Sequence, residues 1–197
     1  MQQVDVIIKS RGTWLTLDQG NTGPRCGAAM SDLVPQENWA LAVKDQRIAA
    51  IGPVAEIEGN FKAKETQDWG ALLVMPGLID PHTHPVFLAT REDEFEMRNG
   101  GKSYVEIALA GGGIRSSVRS LRSASEDELT ELIEKRADGF LALGTTTIEA
   151  KSGYGLSTED ELKSLRAIRR AQENHVLDLE PTFLGAHEIP DEYRDDR

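Results

Sequence analysis

The sequence is poor in cysteine, in aromatic residues and in long apolar runs. Cys26 is the single cysteine among 197 residues, so no internal disulfide can form, as is usual in the reducing cytoplasm. The longest uncharged apolar run, Ala71 to Ile79, is far shorter than the roughly 20 residues that span a bilayer. The first residues are neither basic nor apolar, so no secretory signal is expected. We therefore expect a cytoplasmic protein without a membrane partner.

Basic residues are also scarce. The 22 Lys and Arg residues are outnumbered by 33 Asp and Glu residues, which gives a net charge of −11. Proteins that bind nucleic acid or anionic membranes usually present a basic surface, so this balance argues against both partners. The proportions of hydrophobic residues, 39%, and charged residues, 28%, are ordinary for a globular protein with a core.

Residues 1–74 predict a β-rich domain. Val4, Val6 and Ile8 recur with the period of two that is typical of a strand. The stretch 41–51 consists of two short apolar segments around a polar turn, which predicts a hairpin.

Residues 75–197 change to strands that alternate with helices. Strands are predicted at 77–82, 145–150 and 179–186. Helices are predicted to begin at three Ser/Thr-x-x-Glu motifs, which are typical of helix N-caps: Ser103 with Glu106, Ser125 with Glu128, and Thr158 with Glu161. The third helix places Leu162, Leu165, Ile168 and Ala171 on one face. This alternation predicts a parallel sheet with covering helices.

Two architectures have this pattern, an open doubly wound sheet and a (β/α) barrel. The open sheet would place a Gly-rich loop directly after a strand, whereas the glycines at 111–113 follow a predicted helix. Polar residues cluster where the predicted strands end, at 82–84, 151–154 and 187, and barrels keep their active sites there. The pattern therefore favours the barrel.

His82 and His84 are the first candidate functional residues. Residues two apart on a strand point the same way, so both imidazoles can meet one metal ion. By composition alone, four histidines in 197 residues would produce about 0.06 such pairs. Imidazole suits zinc and iron, and a bound metal can activate water for hydrolysis.

The segment Pro76-Gly-Leu-Ile-Asp80-Pro-His82-Thr-His84 resembles the opening strand of the amidohydrolase superfamily, whose first two metal ligands are that His-x-His pair. Further segments resemble the imidazolonepropionase family within it: Glu149-Ala-Lys-Ser-Gly-Tyr-Gly-Leu156, Thr182-Phe-Leu-Gly-Ala-His187, and Gly101-Lys-Ser-Tyr104 with Gly111-Gly-Gly-Ile114. The resemblance implies an α/β fold, in which 75–197 forms the first three strands and helices of a (β/α)8 barrel. It also implies that 1–74 is part of a composite β-sandwich.

The same resemblance implies hydrolytic opening of 4-imidazolone-5-propanoate to N-formimidoyl-L-glutamate in histidine degradation, by a homodimer with one zinc or iron ion per subunit. His82 and His84 match the metal ligands, and Arg91, Tyr154 and His187 match substrate contacts. Taken without the family, each substrate residue has a structural alternative: a salt bridge of Arg91 with a nearby glutamate, packing of Tyr154, and a satisfied structural histidine at 187.

Three other polar residues have structural interpretations. Lys151 is expected to form an ion pair with Glu149, and His175 is expected to close a helix, where a cation is favoured. Asp80 is a candidate to orient a ligand histidine.

The family takes a third histidine and an aspartate for its metal site from later strands, so the chain is interpreted as a truncated N-terminal portion that is inactive alone. An eight-stranded barrel needs about 250 residues. The alternatives are another amidohydrolase or deaminase, similar to dihydroorotase or cytosine deaminase, and a non-catalytic fragment with an incomplete metal site.

Overall fold

A computed structural model describes residues 1–17, 20 and 23–195. The chain divides into two units, Met1–Pro76 and Gly77–Arg197. The predicted domains, 1–74 and 75–197, remain predictions, and their residues 18, 19, 21, 22, 196 and 197 lie outside the described part. In the described residues, no helix is long and apolar enough to cross a membrane.

The first unit is built on a sheet with the strand order β3-β2-β1-β4. Its regular elements are β1 (Gln2–Trp14), a 3-10 helix (Gly27–Ser31), β2 (Gln36–Lys44), β3 (Arg47–Pro53), α1 (Val54–Asn60) and β4 (Phe61–Asp68). The strand β1 pairs antiparallel with β2 and parallel with β4. The predicted hairpin is confirmed by the antiparallel pairing of β2 with β3. At its tip Asp45 and Gln46 have φ values of 50° and 60°, the left-handed conformation that tight hairpin turns require.

The prediction of a strand at Val4, Val6 and Ile8 is confirmed. Val4 and Ile7 are buried in the core of this unit, whereas Val6 and Ile8 are half-buried. Both faces of β1 are therefore partly covered.

The second unit is a parallel sheet with the strand order β5-β6-β7 and covering helices. Its elements are β5 (Leu78–Thr83), α2 (Glu92–Asn99), α3 (Tyr104–Leu109), α4 (Ile114–Ser123), α5 (Glu126–Ala142), β6 (Thr145–Lys151), α6 (Thr158–Asn174), β7 (Asp178–Thr182) and a 3-10 helix (Asp191–Tyr193). The core lies between the sheet and the helices, where Leu129 and Ile133 of α5 meet Ile148 of β6 and Ile168 of α6.

Two of the three predicted helix starts are confirmed in detail. Ser103 and Ser125 accept hydrogen bonds from the backbone N–H groups of Glu106 and Glu128, whose carboxylates bond back to the serine N–H groups. The third start is wrong by one residue, because Ser157 is the N-cap of α6.

Other predictions in this unit need correction. Leu162 is 49% exposed, so the buried face of α6 is formed by Ser164, Ala167, Ile168 and Ala171 together with Glu161. The helices α2 and α4 were not predicted. The sequence of α2 lacks an apolar stripe, whereas α4 has Ile114, Val118 and Leu121 at helical spacing, a signal that was overlooked.

The predicted strand 179–186 is too long. The strand ends at Thr182, whose carbonyl accepts the N–H of Ser152. The next bond between these segments involves a side chain, since the N–H of Leu184 donates to Ser152 Oγ at 3.0 Å. The chain then turns at Gly185 and Ala186.

Candidate functional site

Four aromatic rings meet near the carboxyl ends of the three parallel strands. The ring centroid of His84 lies 5.5 Å from that of His82, 5.0 Å from that of His187 and 5.4 Å from that of Tyr154. The Tyr154 and His187 centroids are also 5.4 Å apart. The structure thus brings together four of the five predicted site residues, and we call these four side chains the ring cluster.

His82 and His84 reach the cluster because β5 turns its intervening side chain the other way. Thr83 is buried, and its Oγ1 donates to the carbonyl of Glu149 on β6 at 2.6 Å. The predicted same-side placement of the two imidazoles is confirmed. Asp80 accepts a hydrogen bond from the backbone N–H of His82 at 3.2 Å, so its contact is with the backbone and not with a histidine ring.

The imidazole of His84 is suited to remain neutral. Burial lowers its pKa below the ordinary value of 6.5, and the neighbouring His187 and His82 lower it further. Its Nδ1 atom is buried and has no hydrogen-bond partner within the described part of the chain. A buried nitrogen of this kind calls for an explanation such as an ion.

The described residues do not complete a metal site. Among residues 1–17, 20 and 23–195, no group of three His, Cys, Asp or Glu side chains is arranged to hold a metal ion. The imidazoles of His82 and His84 alone fall short of the three protein ligands that catalytic zinc typically takes, and their role as metal ligands stays a prediction.

His187 reaches the cluster from a loop. It was predicted to end a strand, but it lies beyond the end of β7, in the turn that follows Gly185. Its Nδ1 lies 3.1 Å from the carbonyl oxygen of Gly153. Because a carbonyl can only accept, Nδ1 carries the proton, which leaves the lone pair of the neutral ring on Nε2.

Tyr154 lies in the loop after β6, between Gly153 and Gly155, and each of these positions requires glycine for a different reason. Gly153 has φ +117°, a conformation that other residues rarely adopt. At Gly155 a Cβ atom would lie 2.6 Å from the backbone carbon of Asp160, so only glycine allows this close approach to α6.

Glu161 is a residue of this site that the sequence did not reveal. It was interpreted as part of a helix start, but its side chain is 3% exposed and turns back to the Tyr154 loop. Its carboxylate accepts the backbone N–H groups of Gly153, Gly155 and Leu156 at 2.8 to 2.9 Å. A glutamate four residues after an N-cap serine, behind a Gly-x-Gly segment, is the available sequence signal.

Arg91 is not placed in the ring cluster by the contacts of the described residues. It occupies the N-cap position of α2, and its guanidinium lies 3.6 Å from Glu94 Oε2. Glu94 Oε1 in turn accepts the N–H of Gly113 at 2.8 Å. The salt-bridge alternative is therefore what the structure contains, and the substrate role of Arg91 stays a prediction.

Lys151 forms the predicted ion pair with Glu149. Hydrogen bonds from Lys151 and from Thr182 lower the pKa of Glu149 below its usual range. His175, at the C-cap of α6, contacts Asp138 at 3.2 Å and accepts the N–H of Leu177, so it has the predicted structural environment.

Cavities border the ring cluster. One of about 820 Å³ is lined by His187, Glu161 and Tyr193, among others. Another of about 400 Å³ is lined by His84 and Phe140. The cluster therefore adjoins space large enough for a small molecule.

Solved structures of hydrolases and deaminases have a similar fold. The triazine hydrolase of Arthrobacter aurescens aligns with a TM-score of 0.57 and 16% identity, over 90% of this chain and 35% of that one. A zinc-bound adenosine deaminase of Xanthomonas campestris aligns with a TM-score of 0.53 and 16% identity, over 86% and 32%. These alignments confirm the predicted fold, a partial (β/α)8 barrel of the amidohydrolase type.

Sequence identity to curated relatives is higher than identity to these solved structures, and the two relatives described next have the same name. The chain is 52% identical to the imidazolonepropionase of Solibacter usitatus, over 89% of its length and 42% of the relative. It is 46% identical to that of Symbiobacterium thermophilum, over 100% of its length and 46% of the relative. No family model matches the chain. The predicted resemblance to the imidazolonepropionase family is confirmed, and the chain spans less than half the length of these curated relatives.

Proposed function

We propose that the chain is part of a metal-dependent hydrolase that opens the ring of 4-imidazolone-5-propanoate to give N-formimidoyl-L-glutamate, a step of histidine degradation. The observation that carries the proposal is the convergence of the imidazoles of His82 and His84 with the rings of Tyr154 and His187. The similarity to imidazolonepropionases, at 52% identity, supports the choice of substrate.

His82 and His84 are the proposed ligands of one zinc or iron ion per subunit. Imidazole nitrogens suit both metals, and the lowered pKa of His84 favours the neutral ring that a ligand requires. The unpartnered Nδ1 atom of His84 also fits a residue whose environment is completed by an ion. When bound, the metal supplies a Lewis acid for the ring carbonyl and activates water as the nucleophile.

The other residues of the cluster are proposed to bind and orient the substrate. The free Nε2 lone pair of His187 can accept a hydrogen bond from a ring N–H group of the imidazolone. The phenol of Tyr154 can donate to or accept from the substrate at the same place. Arg91 is proposed to hold the propanoate carboxylate in two parallel hydrogen bonds, which requires its guanidinium to leave Glu94.

Two further features of the whole enzyme follow from the resemblance. We propose that it acts in the cytoplasm, which agrees with the single cysteine of the chain. We also propose that it is a homodimer, which light scattering of the purified protein would test.

The proposal is tested with the product of the complete open reading frame that encodes this chain. It is purified, its metal content is measured, and it is assayed with 4-imidazolone-5-propanoate, dihydroorotate and cytosine. We expect zinc or iron, and a kcat/KM for the imidazolone that is at least about a hundredfold higher than for the others. A preference for dihydroorotate or cytosine would assign it to another amidohydrolase or deaminase, and absence of metal and turnover would make it a binding module.

A further inference from the structure

Glu161 is a buried carboxylate in the first turn of α6 with no cationic partner among the ion pairs of the described residues. Its side chain is 3% exposed. Oε2 accepts the N–H of Gly153 at 2.9 Å, and Oε1 accepts the N–H groups of Gly155 at 2.9 Å and Leu156 at 2.8 Å. A buried charge is tolerated only where such bonds replace water. The three backbone donors therefore provide the compensation that a lysine or arginine would provide elsewhere.

The place of Glu161 in the helix favours this arrangement. The first turn of a helix carries a partial positive charge, which stabilises an anion. The capping of α6 is already performed by Ser157, whose Oγ accepts the N–H of Asp160 at 3.1 Å. Glu161 is consequently free to bind the preceding loop, and hydrogen bonds to an ionised acceptor are about twice as strong as neutral ones.

The loop that Glu161 binds contains two residues with positive φ. Gly153 has φ +117°, and Leu156 has φ +51°, which is uncommon for a residue with a branched side chain. Such backbone conformations persist where the surroundings fix them, and they concentrate at functional sites. Glu161 accepts the N–H groups of both residues, so its carboxylate holds the two ends of the segment that carries Tyr154.

The same carboxylate also acts on His187. Gly153 donates its N–H to Glu161 and offers its carbonyl to His187 Nδ1 at 3.1 Å. The carbonyl belongs to the peptide group between Gly153 and Tyr154, and this group lies between the two whose N–H groups, those of Gly153 and Gly155, donate to Glu161. The carboxylate thereby restrains the direction of the carbonyl, which in turn fixes the tautomer and direction of the imidazole. One carboxylate thus determines the placement of two rings that contact His84.

We propose that Glu161 is a positioning residue of the candidate site, which sets the Tyr154 and His187 rings against His84 through the backbone of residues 153–156. The proposal rests on the proposed function only in that these two rings then contact the substrate. The placement of the rings does not depend on which substrate is bound.

The test uses Glu161→Gln, Glu161→Asp and a matched control. In Glu161→Gln the amide oxygen can replace one carboxylate oxygen, but the NH2 group faces a backbone donor, so at least one N–H group loses its acceptor. In Glu161→Asp the charge remains and the reach shortens by one methylene. Glu128→Gln is the control, because Glu128 is also a carboxylate at a helix N-terminus and accepts the N–H of Ser125 at 2.9 Å, away from the ring cluster.

The first readout is nuclear magnetic resonance of the product of the complete reading frame. In the wild type we expect slow amide exchange at Gly153, Gly155 and Leu156 and a nuclear Overhauser effect between the Tyr154 and His187 rings. Glu161→Gln should speed exchange at these amides by at least about tenfold and remove the ring contact, while Glu128→Gln leaves both unchanged. Retained exchange rates and ring contact in Glu161→Gln would overturn the proposal.

The second readout is kinetic and uses the product of the complete reading frame. Because Tyr154 and His187 are proposed to bind substrate, Glu161→Gln should raise KM by about tenfold, more than it lowers kcat, at unchanged metal content. If Glu161→Gln loses the ring contact but the wild type does not turn over the imidazolone, the positioning role is supported and the proposed function is contradicted. If Glu161→Gln does not fold, the same measurements are made on Glu161→Asp and on the wild type. Fast amide exchange at Gly153, Gly155 and Leu156 of the wild type, as in an unprotected loop, would also overturn the proposal.

Discussion

The imidazole of His84 lies parallel to that of His187, with centroids 5.0 Å apart and ring planes that differ by 17°. His84 follows the first strand of the parallel sheet, and His187 lies in the loop after the third. Two protonated rings would repel each other at this distance, and this neighbour contributes to the lowered pKa of His84. The stack therefore places a candidate metal ligand, whose neutral form is favoured, against a candidate substrate contact.

Replacement of His82 or His84 by Ala should remove most of the bound metal and most of the activity. Each variant loses one imidazole of the pair, and the remaining ring cannot hold a divalent ion tightly. The measurement is the metal content of the product of the complete reading frame, by elemental analysis. The control is His175→Ala, whose ring contacts Asp138 and the Leu177 N–H; it should keep its metal. Full metal occupancy in the His82→Ala/His84→Ala double variant would contradict the assignment.

Replacement of Arg91 by Lys should raise KM for the propanoate substrate by about tenfold, with a smaller effect on kcat. Lysine keeps the charge but cannot form two parallel hydrogen bonds with a carboxylate. Arg98→Lys, an exposed change at the other end of α2, is the matched control and should leave KM unchanged. The assignment is wrong if Arg91→Lys leaves KM for the propanoate unchanged and raises it for an analogue without the carboxylate.

The 197-residue chain alone, with zinc or iron added, should turn over the substrate at less than about a tenth of the rate of the Symbiobacterium thermophilum relative. The described residues supply two candidate metal ligands, and the chain covers 46% of that relative. Ile79 and Phe183 are also exposed by 69% and 66%, so the sheet presents apolar surface to water. Turnover within tenfold of the relative, from a cooperatively melting monomer, would refute this expectation.

Glu126 should make the stability of the second unit depend on acid. A hydrogen bond from Arg166, with a further one from Arg170, holds the pKa of Glu126 below its ordinary value of 4.5. Its contribution to the free energy of unfolding is therefore complete above about pH 4.5 and is lost as the pH falls through the folded-state pKa.

The measurement is urea unfolding of Glu126→Gln beside the wild type. The variant should be less stable at neutral pH by no more than about 1 kcal/mol, and the difference should shrink at about pH 3.5. Glu131→Gln, an exposed change on the same helix, is the control. A difference that is constant over this pH range would show that the pairing of Glu126 with the arginines of α6 is not its cause.

Features encoded within a few residues could be predicted from the sequence. The capping boxes at Ser103 and Ser125 depend on side chains three positions apart, so the motif and the structure coincide. The same is true of the His82–His84 pair, since strand geometry alone turns both rings to one side.

Features that depend on where a distant segment lies could not be predicted. Glu161 has the spacing of a helix-start residue, and only the fold of the preceding loop shows that its carboxylate binds Gly153 and Gly155. His187 was expected to end a strand, but its position depends on a turn that the chain makes after β7 ends at Thr182. The pairing of Arg91 with Glu94 was one of two interpretations that sequence alone could not separate.

The bonds between the loops after β6 and β7 have a consequence for redesign. Ser152 Oγ accepts the N–H of Leu184, and the Gly153 carbonyl accepts the Nδ1–H of His187, so each loop supplies bonds that the other needs. Replacing only one of these loops with the loop of another protein would leave hydrogen-bond donors and acceptors unpaired between the two loops. A redesign of this site should therefore replace residues 152–156 and 183–187 together.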